Sequence, residues 1–234
     1  MLTKNQIKLI RSLSIKKNRQ KHGLFVVEGE KLVNEILASD WEVESIYATK
    51  EWLGSEAVIV SKNELNRISS LKSPNKVLAV VKVKANLKPI SGDTVLALDG
   101  VKDPGNLGTI IRLADWFGVK DIICSTDCVD YLNPKVVQST MGSFARVNLH
   151  YTNLVDFFND NPDYTLYVTV LNGTSLKDVK KVKKKIIVLG SESKGVGEDI
   201  LELKGERITI PKSKFSRAES LNVSIASAII LSSL

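Results

Sequence analysis

Apolar positions first recur at helical spacing. Ile7, Leu9, Ile10 and Leu13 stand among basic residues and predict a short amphipathic helix over 3–13. Gly23 then precedes Leu24-Phe25-Val26-Val27, a continuous apolar run of strand length that Glu28-Gly29 ends. Helical spacing returns over 31–38, with Leu32, Val33, Ile36 and Leu37 on the inner side. Apolar runs at 43–48, 57–60 and 77–83 predict three more strands, with a helix over 62–68 between the last two. These elements make a compact α/β domain of ordinary size. The stretch Ala85 to Gly92 sets Pro89 and Gly92 around a polar gap between two strand signals and reads as a linker. The predicted domains are therefore 1–88, a linker at 89–92, and 93–234.

From Asp93 the pattern alternates strand with helix, as in a parallel sheet covered on both faces. The predicted strands are 94–98, 121–124, 146–150, 166–170, 185–189 and 207–210; the helices are 107–117, 134–141, 153–159, 197–203 and a final one. That last helix is expected to start near Arg217, because Ser216 and Glu219 fit a capping box. Its end is apolar enough to be buried, and Ser220, Ser224 and Ser227 recur on one face as a strip of small side chains.

Charge changes the picture at one end of the chain. The net charge is +7. Residues 1–27 hold Lys4, Lys8, Arg11, Lys16, Lys17, Arg19 and Lys21 and no acid, so the remaining 207 residues balance at 26 of each sign. A basic arm of this kind suits a phosphate backbone, and Lys16, Lys17, Arg19 and Lys21 are its candidate nucleic-acid contacts. A solvated start or an organelle transit peptide would have similar composition. No apolar run has the length of a membrane span, and a cytoplasmic protein is expected. Cys124 and Cys128, with no second pair and no nearby His, read as reduced thiols, and no metal site is expected.

Three polar motifs follow predicted strands. The first, Asp103-Pro104-Gly105-Asn106-Leu107-Gly108-Thr109-Ile110-Ile111-Arg112, opens a helix whose apolar face is Leu107, Ile110, Ile111, Ala114 and Phe117, with Arg112 opposite it over an open shelf at Gly108. A plain N-cap at Asn106 and a turn at Gly105 would also account for it. The second, Gly190-Ser191-Glu192-Ser193-Lys194-Gly195-Val196-Gly197, begins like a phosphate loop but lacks the Lys-Ser/Thr that a nucleoside triphosphate requires. It also lacks G-x-G-x-x-G, which disfavours a nicotinamide cofactor; a turn with a solvated acid is the bland alternative. The third is Glu219-Ser220-Leu221-Asn222 after Ile208-Thr209-Ile210-Pro211. Three such motifs at strand ends in one domain argue for a single site.

In order and spacing, LDGVKDPGNLGTIIRLADWFGV, IIVLGSESKGVG and ITIPKSKFSRAESLNVSIASAI resemble the three motifs of the SpoU/TrmH family of RNA 2′-O-ribose methyltransferases in the SPOUT superfamily. The likeness spans 93–234, and KKNRQKHGLFVVEGEKLV is similar to the substrate-binding domain that members carry ahead of it. The resemblance implies a sheet with a deep trefoil knot, a homodimer, structured RNA as substrate with ribosomal RNA favoured over transfer RNA, and S-adenosylmethionine as methyl donor. It assigns the catalytic set to Asn106, Arg112, Glu192, Ser220 and Asn222. Cofactor contacts fall on Thr140, Gly142, Leu189, Gly190, Ile210, Ser220 and Leu221. The chain departs from the family pattern in a longer stretch between Pro211 and Glu219 and in Ser193 at a common Gly position. A non-catalytic RNA-binding assembly factor on the same fold is the alternative of another class. The family implies Arg112 as base, but a guanidinium stays protonated, so binding phosphate and stabilising a developing alkoxide is the role its chemistry favours.

Overall fold

The computed structural model describes residues 2–52, 54, 56–84 and 89–234. It divides into two compact units, Met1–Asn86 with Asp130–Ala145, and Leu87–Val129 with Arg146–Leu234. Among the described residues no helix is long and apolar enough to cross a membrane.

In the first unit, α1 (Lys4–Ser12) opens with a capping box between Thr3 and Gln6 and turns Ile7 and Ile10 inward. Helix α2 (Lys16–His22) follows and stops at Gly23, whose φ of +62° is a left-handed cap that glycine adopts without strain. Then come β1 (Leu24–Glu28), α3 (Glu30–Leu37), β2 (Val43–Ala48), β3 (Val58–Ile59), α4 (Lys62–Ile68) and β4 (Val77–Lys82). The sheet runs β1-β4-β2-β3, antiparallel except for the β2/β3 pair. Val26, Tyr47, Leu78 and Val80 share one core with Ile7, Ile10, Leu13, Leu65 and Ile68.

The basic start is therefore a folded helix pair and not an arm. Arg19, expected to contact RNA, is 3% exposed. Its guanidinium donates to the carbonyls of Leu13 and Ser14 at 2.8 and 2.9 Å and pairs with Asp130 at 2.6 Å. A buried cation is tolerated only when its donors are satisfied in this way, so Arg19 is spent on structure. Lys16, Lys17 and Lys21 remain exposed.

Residues 130–145, expected in the second domain, cluster with the first unit. The Arg19–Asp130 pair is one reason. The other is aromatic: Phe144 follows α6 (Pro134–Thr140) and sits edge-on to Phe25 and Trp41, at centroid distances of 6.0 and 5.8 Å.

The second unit contains β5 (Thr94–Asp99), α5 (Pro104–Trp116), β6 (Asp121–Cys124), β7 (Asn148–Tyr151), α7 (Leu154–Asp160), β8 (Thr165–Ser175), β9 (Lys185–Gly190), α8 (Glu198–Leu201), β10 (Glu206–Thr209) and α9 (Val223–Ser233). Its six strands run parallel in the order β10-β8-β9-β5-β6-β7. Burial on both faces explains the unbroken apolar runs 95–98 and 186–189. Strand order reverses between β5 and β9, whose last residues Asp99 and Gly190 lie in register. Crevices of open α/β sheets lie at the carboxyl ends beside such a reversal.

Two expectations change here. Strand β8 continues to Ser175, with a register shift against β10 between Arg207 and Ile208. The capping box at Ser216 and Glu219 does not form, because Ser216 Oγ accepts instead from Ala218 N–H at 3.3 Å. Residues 211–222 are exposed and non-helical, and α9 begins at Val223 with Asn222 as its cap. Ser220 is thus outside the helix, while Ser224 and Ser227 are buried in it. Of the expected linker, 85–88 lie outside the described residues. Its end is fastened to the second unit: Ser91 N–H donates to Asp121 at 3.2 Å, and the Gly92 carbonyl accepts from the Tyr164 hydroxyl at 2.8 Å.

Candidate active site

Helix α5 starts three residues earlier than its apolar pattern suggests. Asp103 is its N-cap, accepting from Asn106 N–H at 2.8 Å, and Pro104 takes the first turn, where a missing N–H costs nothing. Asn106 is therefore not the cap, and its amide side chain is released for other contacts. Leu107, Ile110, Ile111 and Ala114 are buried, and Arg112 is exposed on the other side as expected. Two details differ. Gly108 is buried in the packed side of α5 instead of forming an open shelf, and Phe117, past the last turn, is partly exposed.

The second motif is a tight loop. Ser191 and Gly195 exchange both backbone hydrogen bonds, at 3.1 and 2.9 Å, so the chain folds back on Gly190. A Cβ on Gly190 would lie 2.1 Å from the Gly195 carbonyl carbon, and only glycine fits. The far end of the loop is closed by Asp99, whose carboxylate accepts from Gly197 N–H at 2.8 Å. Burial pushes the Asp99 carboxyl above its ordinary range, which the Gly197 N–H partly offsets and the nearby Asp127 and Asp199 reinforce.

The third motif meets the other two through Asn222. Its side-chain oxygen caps α9, accepting from Ser224 N–H and Oγ–H at 2.9 and 2.6 Å. Its amide donates to Asn106 Oδ1 at 2.9 Å, and Asn106 Nδ2 donates in turn to Glu192 Oε1. One continuous run of hydrogen bonds, Asn222 to Asn106 to Glu192, thus joins residues from all three motifs at the carboxyl edge of the sheet. The run fixes each amide orientation, because a flipped Asn106 would set donor against donor and acceptor against acceptor. The second carboxylate oxygen of Glu192 has no hydrogen bond among the described residues. Neither does the Arg112 guanidinium, and both face outward toward solvent.

The remaining expected residues are distributed unevenly. Leu189 is buried at the end of β9 and Gly190 closes it, whereas Ile210 leads into the exposed stretch that contains Ser220 and Leu221. From 211 to 221 one backbone-to-backbone bond occurs among the described residues, from Ser216 N–H to the Ser213 carbonyl. Much of this main chain is therefore free to meet a ligand. Thr140 and Gly142 belong to the first unit, where the Thr140 hydroxyl is consumed by the Val137 carbonyl at 2.7 Å. Asp99 and Asp103 were not among the sequence candidates. Asp103-Pro104 is a legible helix start, but only the fold shows that Asp99 holds the second loop. Cys124 and Cys128 are free and buried.

A family model described as the SpoU rRNA methylase family matches residues 93–232. The chain belongs to this family. A second model, described as an MRM3-like substrate binding domain, matches residues 4–79 of this SpoU-family chain. The 23S rRNA (guanosine(2553)-2′-O)-methyltransferase RlmP of Bacillus subtilis is 30% identical across 97% of the chain and 95% of its own length. Among solved structures, a TrmH-family protein from Porphyromonas gingivalis superposes with a TM-score of 0.91 at 37% identity, covering 100% of the chain and 98% of its own. An AdoMet-bound rRNA methyltransferase from Sinorhizobium meliloti gives 0.87 at 30% identity, covering 99% and 94%. The hydrogen-bonded run from Asn222 to Glu192 lies within the residues that the SpoU family model matches.

Proposed function

We propose that the chain transfers a methyl group from S-adenosylmethionine to a ribose 2′-hydroxyl of ribosomal RNA, acting in the cytoplasm as a homodimer whose second unit carries a trefoil knot. The observation that carries this reading is the Asn222–Asn106–Glu192 run together with an Arg112, on the same helix as Asn106, that has no hydrogen bond among the described residues. RlmP, whose name states this chemistry, supports it over nearly the whole chain. Exposed apolar side chains at this edge support a covering partner: Phe215 is 94% exposed, with Leu221 and Ile225 about half exposed.

The donor fits the residues present. A Gly190 with no room for a side chain and the largely unpaired main chain of 211–221 suit a ligand held mainly by backbone groups, with Leu189, Ile210, Ser220 and Leu221 around it. Thr140 and Gly142 are assigned to it by family resemblance alone. Bound S-adenosylmethionine supplies a methyl group on a cationic sulfur.

The chain's own residues then do three things. Glu192, held by Asn106, positions the ribose and Arg112 so that the attacking lone pair is aligned; such alignment contributes about 7–11 kcal/mol to lowering a bimolecular barrier. Arg112 binds the neighbouring phosphate and stabilises negative charge as it develops on the ribose oxygen. Because a guanidinium does not deprotonate at neutral pH, the hydroxyl proton leaves late, to phosphate or water. Ser220 and Asn222 shape the floor, and Lys16, Lys17 and Lys21 give sequence-independent grip on RNA.

The reading is tested by incubating the full-length chain with methyl-labelled S-adenosylmethionine and unmodified ribosomal RNA and digesting the product to nucleosides. Label in a 2′-O-methylnucleoside is expected. Label on a base, or none above background, contradicts it.

A further inference from the structure

We propose that the crossover from Leu176 to Lys184 is a second contact for the RNA backbone, built into the catalytic unit and leading away from the edge where the reacting ribose would lie. This rests on the RNA methyltransferase reading above. Beyond residue 27 the chain is charge-balanced, yet 176–184 holds five lysines, Lys177, Lys180, Lys181, Lys183 and Lys184, against the single acid Asp178. All five are exposed. Lys183 and Lys184 face Asp93 and Asp163 at 3.6 and 3.8 Å across open surface, where such pairs contribute little. Lys177, Lys180 and Lys181 have no ion pair among the described residues.

The segment that carries them is fixed. Leu176 and Val179 are buried, and the Tyr167 hydroxyl donates to the Lys180 carbonyl. It also has a direction. Leu176 N–H bonds the Thr209 carbonyl at 3.0 Å, where β10 passes into the 211–222 stretch, and Thr165 N–H bonds the Lys184 carbonyl at 3.1 Å, at the opposite end of β8. The lysines are thus set out along the length of a strand, starting from the edge that bears the three motifs. A row of like charges on a held backbone repels itself, and a polyanion relieves that repulsion. Phosphates spaced along an RNA strand match such a row and release counterions on binding, whereas a single small anion would engage one lysine only.

The test compares two triple variants of the full chain with equal loss of charge. One is Lys177→Gln, Lys180→Gln and Lys181→Gln. The control is Lys50→Gln, Lys120→Gln and Lys204→Gln, three lysines exposed elsewhere. Affinity for protein-free ribosomal RNA is measured from low to high salt, and methyl transfer is measured at saturating donor. The first variant should lower the slope of log affinity against log salt by about 2, since each lost phosphate contact removes roughly 0.7–0.9. It should raise KM for RNA about tenfold and leave kcat within about twofold, because the row holds RNA away from the reacting atoms. The control should change the slope by less than about 0.5. Equal slopes for the two variants, or an unchanged slope in the first, overturn the proposal. So does a loss of binding to anionic phospholipid vesicles with RNA binding intact. A wild-type chain that binds RNA but transfers no methyl group defeats the methyltransferase reading, and the salt slopes alone then decide the contact.

Discussion

Helices α2 and α5 each present one arginine, and the protein uses the two in opposite ways. On α2, Arg19 is enclosed, its donors consumed by two carbonyls and Asp130. On α5, Arg112 is exposed with no partner among the described residues, nearly two turns beyond an Asn106 that is pinned on both sides. The first guanidinium is a structural tie between parts of the chain 111 residues apart. The second keeps its donors for something absent from the chain itself. What separates a structural cation from a functional one is therefore the state of its donors, a property that sequence charge does not report.

The largest expected effect would sharpen that contrast through stability. Arg19→Ala removes the guanidinium from two carbonyls and from the half-enclosed Asp130 carboxylate, which keeps only the weaker Leu132 N–H at 3.1 Å among the described residues. Loss of one partner from an enclosed pair costs about 3–5 kcal/mol. The melting temperature should fall by roughly 10 °C, while turnover per folded molecule stays within about twofold. A variant that melts normally but binds RNA weakly would return Arg19 to the RNA-contacting set.

Arg112→Ala should do the reverse. Turnover should drop about 10²-fold or more, as when one donor to a developing oxyanion is removed, with melting unchanged within about 2 °C. Arg112→Lys should recover little, because a point charge does not replace a planar fork. Near-wild-type turnover in the lysine variant would mean that charge alone suffices there.

The smallest effect concerns Asp99. Its carboxyl is pushed up chiefly by burial, so the fold favours the protonated form. Such a group lends stability at low pH that is lost as pH rises through its folded value, and its ionisation opposes folding at neutral pH. Asp99→Asn keeps an oxygen for Gly197 N–H and removes that opposition. The side chain is partly exposed, so solvent screening limits the gain: melting should rise by about 1 °C at pH 7 and not at all below about pH 3.5. A gain that persists in acid would point to packing and not charge.

Much of the fold was legible because its strands and helices follow apolar periodicity. Val43–Ala48, Lys62–Ile68 and Asp121–Cys124 fall on the boundaries read from the pattern. Failures came where a distant partner decides. Helix α2 has no apolar stripe and is held in part through Asp130, and Phe144 joins the first unit through Phe25 and Trp41, so neither could be read locally. The start of α9 was misplaced because Ser216 and Glu219 carry a sound local signal. In the fold, Asn222 caps the helix and reaches Asn106 with the same side chain, a double task invisible to spacing. In the site, the residue types Asn106, Glu192 and Asn222 were readable, their hydrogen-bonded order was not, and Asp99 gave no sign beyond ending a strand.

The most direct measurement is a crystal structure of the full chain with S-adenosylmethionine bound. The account predicts the donor between the 190–197 loop and the 211–222 stretch, contacted chiefly by main chain, with an Arg112 of the same or a second copy facing its methyl group. A donor lodged elsewhere, or every Arg112 out of reach of that methyl carbon, would contradict it.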